Sequence, residues 1–294
     1  MRINFQMPSR AIKHYERWIG GHELSVLAVA AEEAGFDAVS MTDHPFPPDE
    51  WLAAGGHHAF DPFVALAVIG AGTSRIRLLT NLVVAGYRSP YITAKAAASV
   101  DVLSGGRLVL GMGAGYVEGE FAALGADFRG RGVRFDAALT AIGEAWDGRS
   151  VGHSALPRPE RRPPIWIGGN SRRARRRAAT HGDGWMPFGQ GAEQAAITGT
   201  DSLTSVEQLA DRIADLDRMR RELGRPEPLD VCFAPPGVGS AEAFLAFLDS
   251  SGAACAEAGV TWLTWESSAR SADACLADIG WVGSAIAGLE AVAR

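Results

Sequence analysis

Asp43 and His44 sit side by side where an apolar run, Phe36 to Thr42, gives way to Pro45-Phe46-Pro47-Pro48. A carboxylate beside an imidazole can hold its tautomer and raise its pKa, as a general acid or base requires. The same pair also makes an ordinary loop hydrogen bond, and the dipeptide alone does not separate the two uses. Two glycine runs offer backbone chemistry instead. Gly111-Met112-Gly113-Ala114-Gly115-Tyr116 lets the chain approach something closely, but its alternating glycines are not the G-x-G-x-x-G of a dinucleotide turn. Gly168-Gly169-Asn170-Ser171 opens a helix, where unpaired N–H groups can meet an anion, although ordinary barrel loops carry glycines too. Arg172, Arg173, Arg175, Arg176 and Arg177 follow and cannot share one helix face, so most are expected in solvent, with one at most reaching a phosphate. His57 and His58 have no carboxylate or Cys at metal spacing and are expected to be solvated. His14, His22, His153 and His181 have no constellation around them, and no metal site is expected.

The elements that must position these residues repeat a strand-then-helix pattern. In the central unit, Ile76 to Ala85 is a branched apolar run, Pro90 to Ser104 an Ala-rich helix stopped by Gly105 and Gly106, and Arg107 to Met112 a second apolar run. A crossover helix makes the two strands parallel and right-handedly joined. Around it the pattern predicts strands at Arg2 to Met7, Phe36 to Thr42, Ile165 to Asn170, Gly184 to Phe188, Val231 to Ala234 and Val260 to Thr264. Helices are expected at His22 to Ala34, after the Asp61 N-cap and Pro62, across most of Glu118 to Trp146, and at Val206 to Leu223, Ala241 to Ala258 and Ala272 to Val292. Arg129, Arg131 and Arg134 form a basic patch, Gly148 to Pro164 a polar linker, and Gly189 to Thr204 a loop without period. Eight strands each followed by a helix close as a single α/β domain over residues 1–294, a (β/α)8 TIM barrel. Its ligands would sit at the carboxyl ends of the strands, where the candidate residues lie.

A net charge of −6 argues against a nucleic-acid partner. Cys232, Cys255 and Cys275 are odd in number and widely spaced, which suits a reducing cytoplasm better than a disulfide framework. Neither a charged leader with an apolar core nor a twenty-residue apolar span is visible, so no export and no membrane partner is expected.

Taken together, Thr42 to Pro48, Arg75 to Leu82, Tyr87-Arg88-Ser89-Pro90, Leu103 to Arg107, Leu110 to Tyr116 with Glu120-Phe121, and Ile167 to Asn170 with Gly182 to Trp185 resemble the bacterial luciferase-like monooxygenase superfamily. More narrowly, they are similar to its actinobacterial coenzyme F420-dependent oxidoreductases. The resemblance runs from about Arg2 to Phe188. It implies a flavin or deazaflavin ring at the strands' carboxyl ends, with coenzyme F420 as cofactor and FMN as the alternative. It also implies a non-proline cis peptide at Asn81-Leu82 under the ring. Gly113, Ala114, Gly115 and Tyr116, and Gly168, Gly169 and Asn170, would line the ring and its phosphate arm, with Asp43 and His44 at the reactive edge.

On that resemblance the expected activity is hydride exchange between coenzyme F420 and a small organic substrate. His44 would donate or accept the proton, Asp43 would orient it, and Tyr87 with Arg88 would cover the ring. An FMN monooxygenase fed by a partner reductase and using oxygen is one alternative, and a flavin-binding protein without turnover another. The family's sugar-phosphate dehydrogenase carries a catalytic glutamate where Tyr116 stands, which argues against that substrate; Glu118 and Glu120 are displaced along the loop and are not taken as substitutes. A homodimer is expected through the helices Pro62 to Ala71 and Tyr91 to Val102.

Overall fold

The computed structural model describes residues 1–8, 15–149, 153–154 and 156–292. His14 and positions 150–152 and 155 of the expected linker lie outside the described residues. In chain order the elements are β1 (Arg2–Gln6), α1 (Gly21–Glu33), β2 (Ala38–Met41), α2 (Asp49–Ala53), α3 (Pro62–Gly72), β3 (Arg77–Thr80), β4 (Val83–Val84), α4 (Pro90–Leu103) and β5 (Leu108–Gly113). There follow α5 (Glu118–Ala123), α6 (Arg131–Asp147), β6 (Ile165–Gly168), α7 (Arg172–His181), β7 (Gly184–Met186), α8 (Ala192–Thr198), α9 (Val206–Glu222), β8 (Asp230–Phe233), α10 (Ala241–Glu257), β9 (Trp262–Glu266) and α11 (Ala272–Val292).

Every strand pairing is parallel, and β1 closes the ring by pairing with β2 on one side and β9 on the other. β3 and β4 are two pieces of one stave. β3 pairs with β2 and with the start of β5, whereas β4 pairs with the end of β5. Among the described residues this gives the closed eight-stave (β/α)8 barrel that the strand count predicts. The expected unbroken strand from Ile76 to Ala85 is interrupted at Asn81 and Leu82, which leave the ladder and are joined by a cis peptide. The expected loop from Gly189 to Thr204 contains α8; none of that helix's residues is buried, so it has no apolar period to announce it.

Alternation along the staves sorts the side chains. Ile3 and Phe5 turn outward to the helices, while Asn4 bonds across the barrel interior to Ser40 and Thr264. Low in the interior, Ala38, Leu79, Val109, Trp166, Met186, Cys232 and Trp262 form one apolar cluster. One layer higher the interior is polar: the Gln6 amide oxygen accepts from Ser40 at 2.8 Å and from Asn81 at 2.9 Å. The barrel is therefore filled mainly by hydrocarbon at its amino end and presents amides and hydroxyls toward its carboxyl end. Outside, Leu27, Leu66, Ile69, Leu139, Ile142, Leu216 and Phe244 lock the helices to the staves, each worth about 1.5–3 kcal/mol when fully buried. Asp61 caps α3 by accepting from the Phe63 and Val64 amides, with Pro62 at the first helical position as expected.

Candidate active site

A cavity of about 780 Å³ opens at the carboxyl ends of the staves. His44 leaves β2 and reaches its wall, 7% exposed. Its Nδ1 lies 2.8 Å from Oε2 of Glu120, which α5 brings in and buries completely. The same oxygen accepts from the Tyr87 hydroxyl at 2.8 Å, and Oε1 accepts from the Phe46 amide at 3.2 Å. A buried carboxylate needs such donors, and three segments supply them. In neutral His44 this arrangement assigns the proton to Nδ1, so Nε2 is the bare acceptor. Burial, then the Glu120 charge, pushes the Tyr87 phenol well above its ordinary value, which keeps it a neutral donor.

Two expectations are corrected here. Asp43 does not orient His44: Arg88 donates to its oxygens at 2.6 and 3.0 Å, and the Val84 amide donates at 3.1 Å. Consecutive residues of an extended chain point to opposite sides, so one cannot serve the other. Burial pushes the Asp43 carboxyl up while Arg88 pulls it back, and Arg88 also donates to Asp61 at 2.8 Å, tying the loop to the cap of α3. Glu120, set aside as displaced along the loop, is the residue that fixes His44. Tyr87 and Arg88, expected over a ring, have their polar ends tied to Glu120 and Asp43; Tyr87 still borders the cavity.

His57 is a third correction. Rather than being solvated, it borders the cavity, with its ring 4.5 Å from that of His44 and 5.3 Å from Trp51. His58 turns the other way, toward Glu16 at 2.9 Å and onto the Tyr15 ring. No spacing rule could have separated the two, because α2 folds the loop back before it reaches them. Tyr116 also borders the cavity, its ring 6.3 Å from His44.

The glycine runs make room for the protein itself. A Cβ on Gly113 or Gly168 would lie 2.6 or 2.1 Å from the Leu82 methyls, so both positions exist to seat Leu82 beside Ala114 in the cavity floor. Asn170 does not border the cavity. Its side chain donates to the Phe188 and Asp201 carbonyls and accepts from the Phe188 amide, and its own N–H goes to Thr200. It clamps two loops together, which corrects its assignment as a cofactor contact. Ser171, the N-cap of α7, borders the cavity instead. So do Arg131, read from the sequence as part of a basic patch, and Arg177, one of five arginines of which most were expected in solvent and one at most near a phosphate. Arg131 stacks on Phe128 at 3.9 Å and donates to the Gly115 carbonyl; Arg177 donates to Asp136 at 2.6 Å. Among the described residues no group of three His, Cys, Asp or Glu side chains is placed to hold a metal ion.

A parallel barrel whose deep cavity is walled by a carboxylate-held histidine has the layout of a barrel enzyme. Residues 4–238 match the family model described as luciferase-like monooxygenase, and the chain belongs to that family. It is 31% identical over 217 residues to F420-dependent glucose-6-phosphate dehydrogenase 1 of Rhodococcus jostii, covering 68% of this chain and 64% of that protein. It is 34% identical over 190 residues to the F420-dependent glucose-6-phosphate dehydrogenase of Nocardia farcinica, covering 59% and 55%. The chain thus spans about half to two thirds of the length of these curated relatives. In fold it is similar to an F420-dependent secondary alcohol dehydrogenase solved with an F420-acetone adduct, with a TM-score of 0.72, 15% identity, and 95% and 97% of the two chains covered.

Proposed function

We propose that this chain exchanges a hydride between coenzyme F420 and a small organic substrate, with His44 moving the accompanying proton. The observation that carries the reading is the His44–Glu120 contact, in which a buried carboxylate fixes an imidazole at the wall of a cavity large enough for a tricyclic ring. The residues present fit that cofactor. Leu82, seated on Gly113 and Gly168, offers with Ala114 an apolar floor for a planar ring, and Asn81, Gly115, Tyr116 and Gly169 border the same space. Ser171 at the N-terminus of α7, together with Arg131 and Arg177, gives an electropositive end suited to a phosphate arm. When bound, F420 supplies a two-electron hydride carrier whose carbon at position five disfavours oxygen activation. The rest is protein chemistry: His44 Nε2 accepts the proton of a substrate hydroxyl, or returns it to a carbonyl oxygen in reverse, and Glu120 stabilises the imidazolium.

The names of the relatives support F420 over FMN. Separate titrations of the purified protein with F420 and FMN test this, F420 being expected to bind at least about tenfold tighter. Tighter FMN binding would replace the reading with an FMN monooxygenase supplied by a partner reductase. Cofactor binding without turnover of any alcohol or carbonyl compound would leave a flavin-binding protein. The same reading includes a homodimer formed through α3 and α4, where Val64, Tyr91, Ile92 and Leu103 are exposed apolar side chains; sedimentation at micromolar concentration as a monomer would remove it. A cytoplasmic location is part of the reading too. Its support is that Cys232, Cys255 and Cys275 are free and buried, and that no helix among the described residues is long and apolar enough to cross a membrane.

A further inference from the structure

We infer that α8 is a lid over the arginine end of the cavity: it closes on the phosphate arm of the bound cofactor, Ile197 is the side chain that packs against that arm, and the helix thereby sets the rate of cofactor release. This rests on the cofactor reading above and adds a segment which that reading leaves out. Residues 190–203 form a loop beyond β7 whose ends meet, and its base is fixed. Gln190 and Leu203 pair through two backbone hydrogen bonds of 2.9 Å, and both are buried. The Gln190 side chain donates to the Asp201 carbonyl at 3.1 Å and accepts from the Thr198 hydroxyl at 3.0 Å. From the end of β6, Asn170 holds Asp201 and Thr200 as well.

The tip of the loop lacks such support. None of the residues of α8 is buried, Gly191 caps the helix without a side chain, and Gly199 ends it at a φ of 62°. A helix this short does not hold together in water by itself, and a segment that buries nothing belongs to the least stable part of a fold. What it needs is an apolar surface to lie on. Ile197 is 56% exposed and borders the cavity, as do Gln194, Thr198 and Gly199. Position decides which part of a ligand they meet. β7, which feeds α8, stands four staves from β2 and His44 in either direction around the ring, so the helix rises across the barrel from the proton carrier. A Cβ on Gly199 would lie 3.8 Å from Nη2 of Arg131, which puts the end of α8 beside the arginine that borders the arm. Covering Ile197 with the C–H groups of that arm takes apolar surface out of water, an effect of about tenfold in affinity for partial burial.

The test is hydrogen exchange of residues 192–199, read by mass spectrometry in the free protein and with F420, FMN, or the arm-less ring compounds lumiflavin and 5-deazalumiflavin, each at about ten times its measured Kd. Exchange in α8 should slow at least about tenfold with F420 or FMN, stay as in the free protein with the arm-less rings, and change little at Gln190 and Leu203 throughout. Stopped-flow kinetics supply the second measurement. Ile197→Ser should speed cofactor release about tenfold with association within about threefold. Ala196→Gly, which lowers helix propensity at a residue that does not border the cavity, should speed release about fivefold. Both side chains are exposed, so neither substitution should prevent folding. Cofactor binding with unchanged exchange in α8 overturns the inference, as does an Ile197→Ser variant that releases cofactor at the wild-type rate. Equal protection by the arm-less rings would put the helix over the ring instead and overturns it too. Protection that follows protein concentration and not ligand would make Ile197 a contact between copies, with the same result. Failure of both F420 and FMN to bind would overturn the cofactor reading and the lid with it, whereas binding without protection removes the lid alone.

Discussion

At the amino end of the barrel, Glu32 takes hydrogen bonds from the backbone amides of Ser74, Arg75 and Ile76; at the carboxyl end, Glu120 takes them from the His44 ring, the Tyr87 hydroxyl and the Phe46 amide. The amino end repeats its device: Asp37 accepts from Ile3, Asp101 from Leu108 and Asp183 from Ile165, each at or just ahead of the start of a stave. Those donors are backbone groups that hold no exchangeable charge. A carboxylate that meets them ties its own segment to the start of a stave. Glu120 meets a side chain that titrates and borders a cavity, so its loss should be felt in turnover. The same functional group thus does structural work at one end of the barrel and positioning work at the other, and Asp43 tests whether place alone decides which.

The largest effect should come from His44→Ala. Removing the proton carrier should lower turnover by about 10²–10⁴-fold while cofactor affinity changes by less than about threefold. Kinetics and a cofactor titration on the same preparation separate the outcomes. Unchanged turnover with lost binding would make His44 a cofactor contact and the carboxyl end a binding surface without its proton carrier.

Asp43→Asn comes next and divides the carboxyl end against itself. Asp43 lies beside His44 but holds Arg88, which Asp61 alone would then have to neutralise. Breaking one partner of a buried pair should destabilise the protein by about 2–3 kcal/mol in urea titration, with turnover per folded molecule within about fivefold of the wild type. A larger loss of turnover at unchanged stability would return Asp43 to the chemistry. Glu120→Gln should act the other way, lowering turnover about tenfold with a smaller effect on stability. Unchanged turnover would leave Glu120 a packing residue.

How far these roles could be read beforehand follows from where the information sits. The staves, their order and the placement of Asp43 and His44 at an exit are local, carried by apolar runs and by Gly and Pro breaks within a few residues. The interruption at Asn81-Leu82 came only through the family resemblance, since the run from Ile76 to Ala85 is apolar apart from Arg77, Thr80 and Asn81. Partnerships are not local. Glu120 is 76 residues from His44 and Arg88 is 45 from Asp43, and no periodicity links them. Asn170 misled for the same reason: a polar residue after two glycines at a strand exit looks like a ligand contact until Phe188 and Asp201 are seen taking its amide. Arg131 and Arg177 were hidden among neighbouring arginines that look alike in sequence.

The smallest effect belongs to Glu32, and it is the one that checks the amino end. Burial works to raise its carboxyl, but the amides of Ile76, Arg75 and Ser74 and the Ser74 hydroxyl outweigh it and bring it down to about 2, from an ordinary 4.5. A folded-state value below the unfolded one favours the native state fully above pH 4.5, and the benefit fades as the pH falls toward 2. The site is only half-buried, so solvent screening reduces it to about 1 kcal/mol. Glu32→Gln should therefore lower stability by about that amount at pH 7, and the difference from the wild type should shrink steadily as the pH is taken below 4.5. Turnover and cofactor affinity should not change, because α1 and the start of β3 lie at the end of the barrel away from the cavity. Thermal melts of both proteins from pH 7 to pH 3 measure the first expectation, and kinetics at pH 7 the second. A gap that stays constant with pH would mean that the amide replaces the carboxylate's hydrogen bonds no better when it is protonated than when it is charged. The contrast between the two ends would then rest on geometry and not on charge.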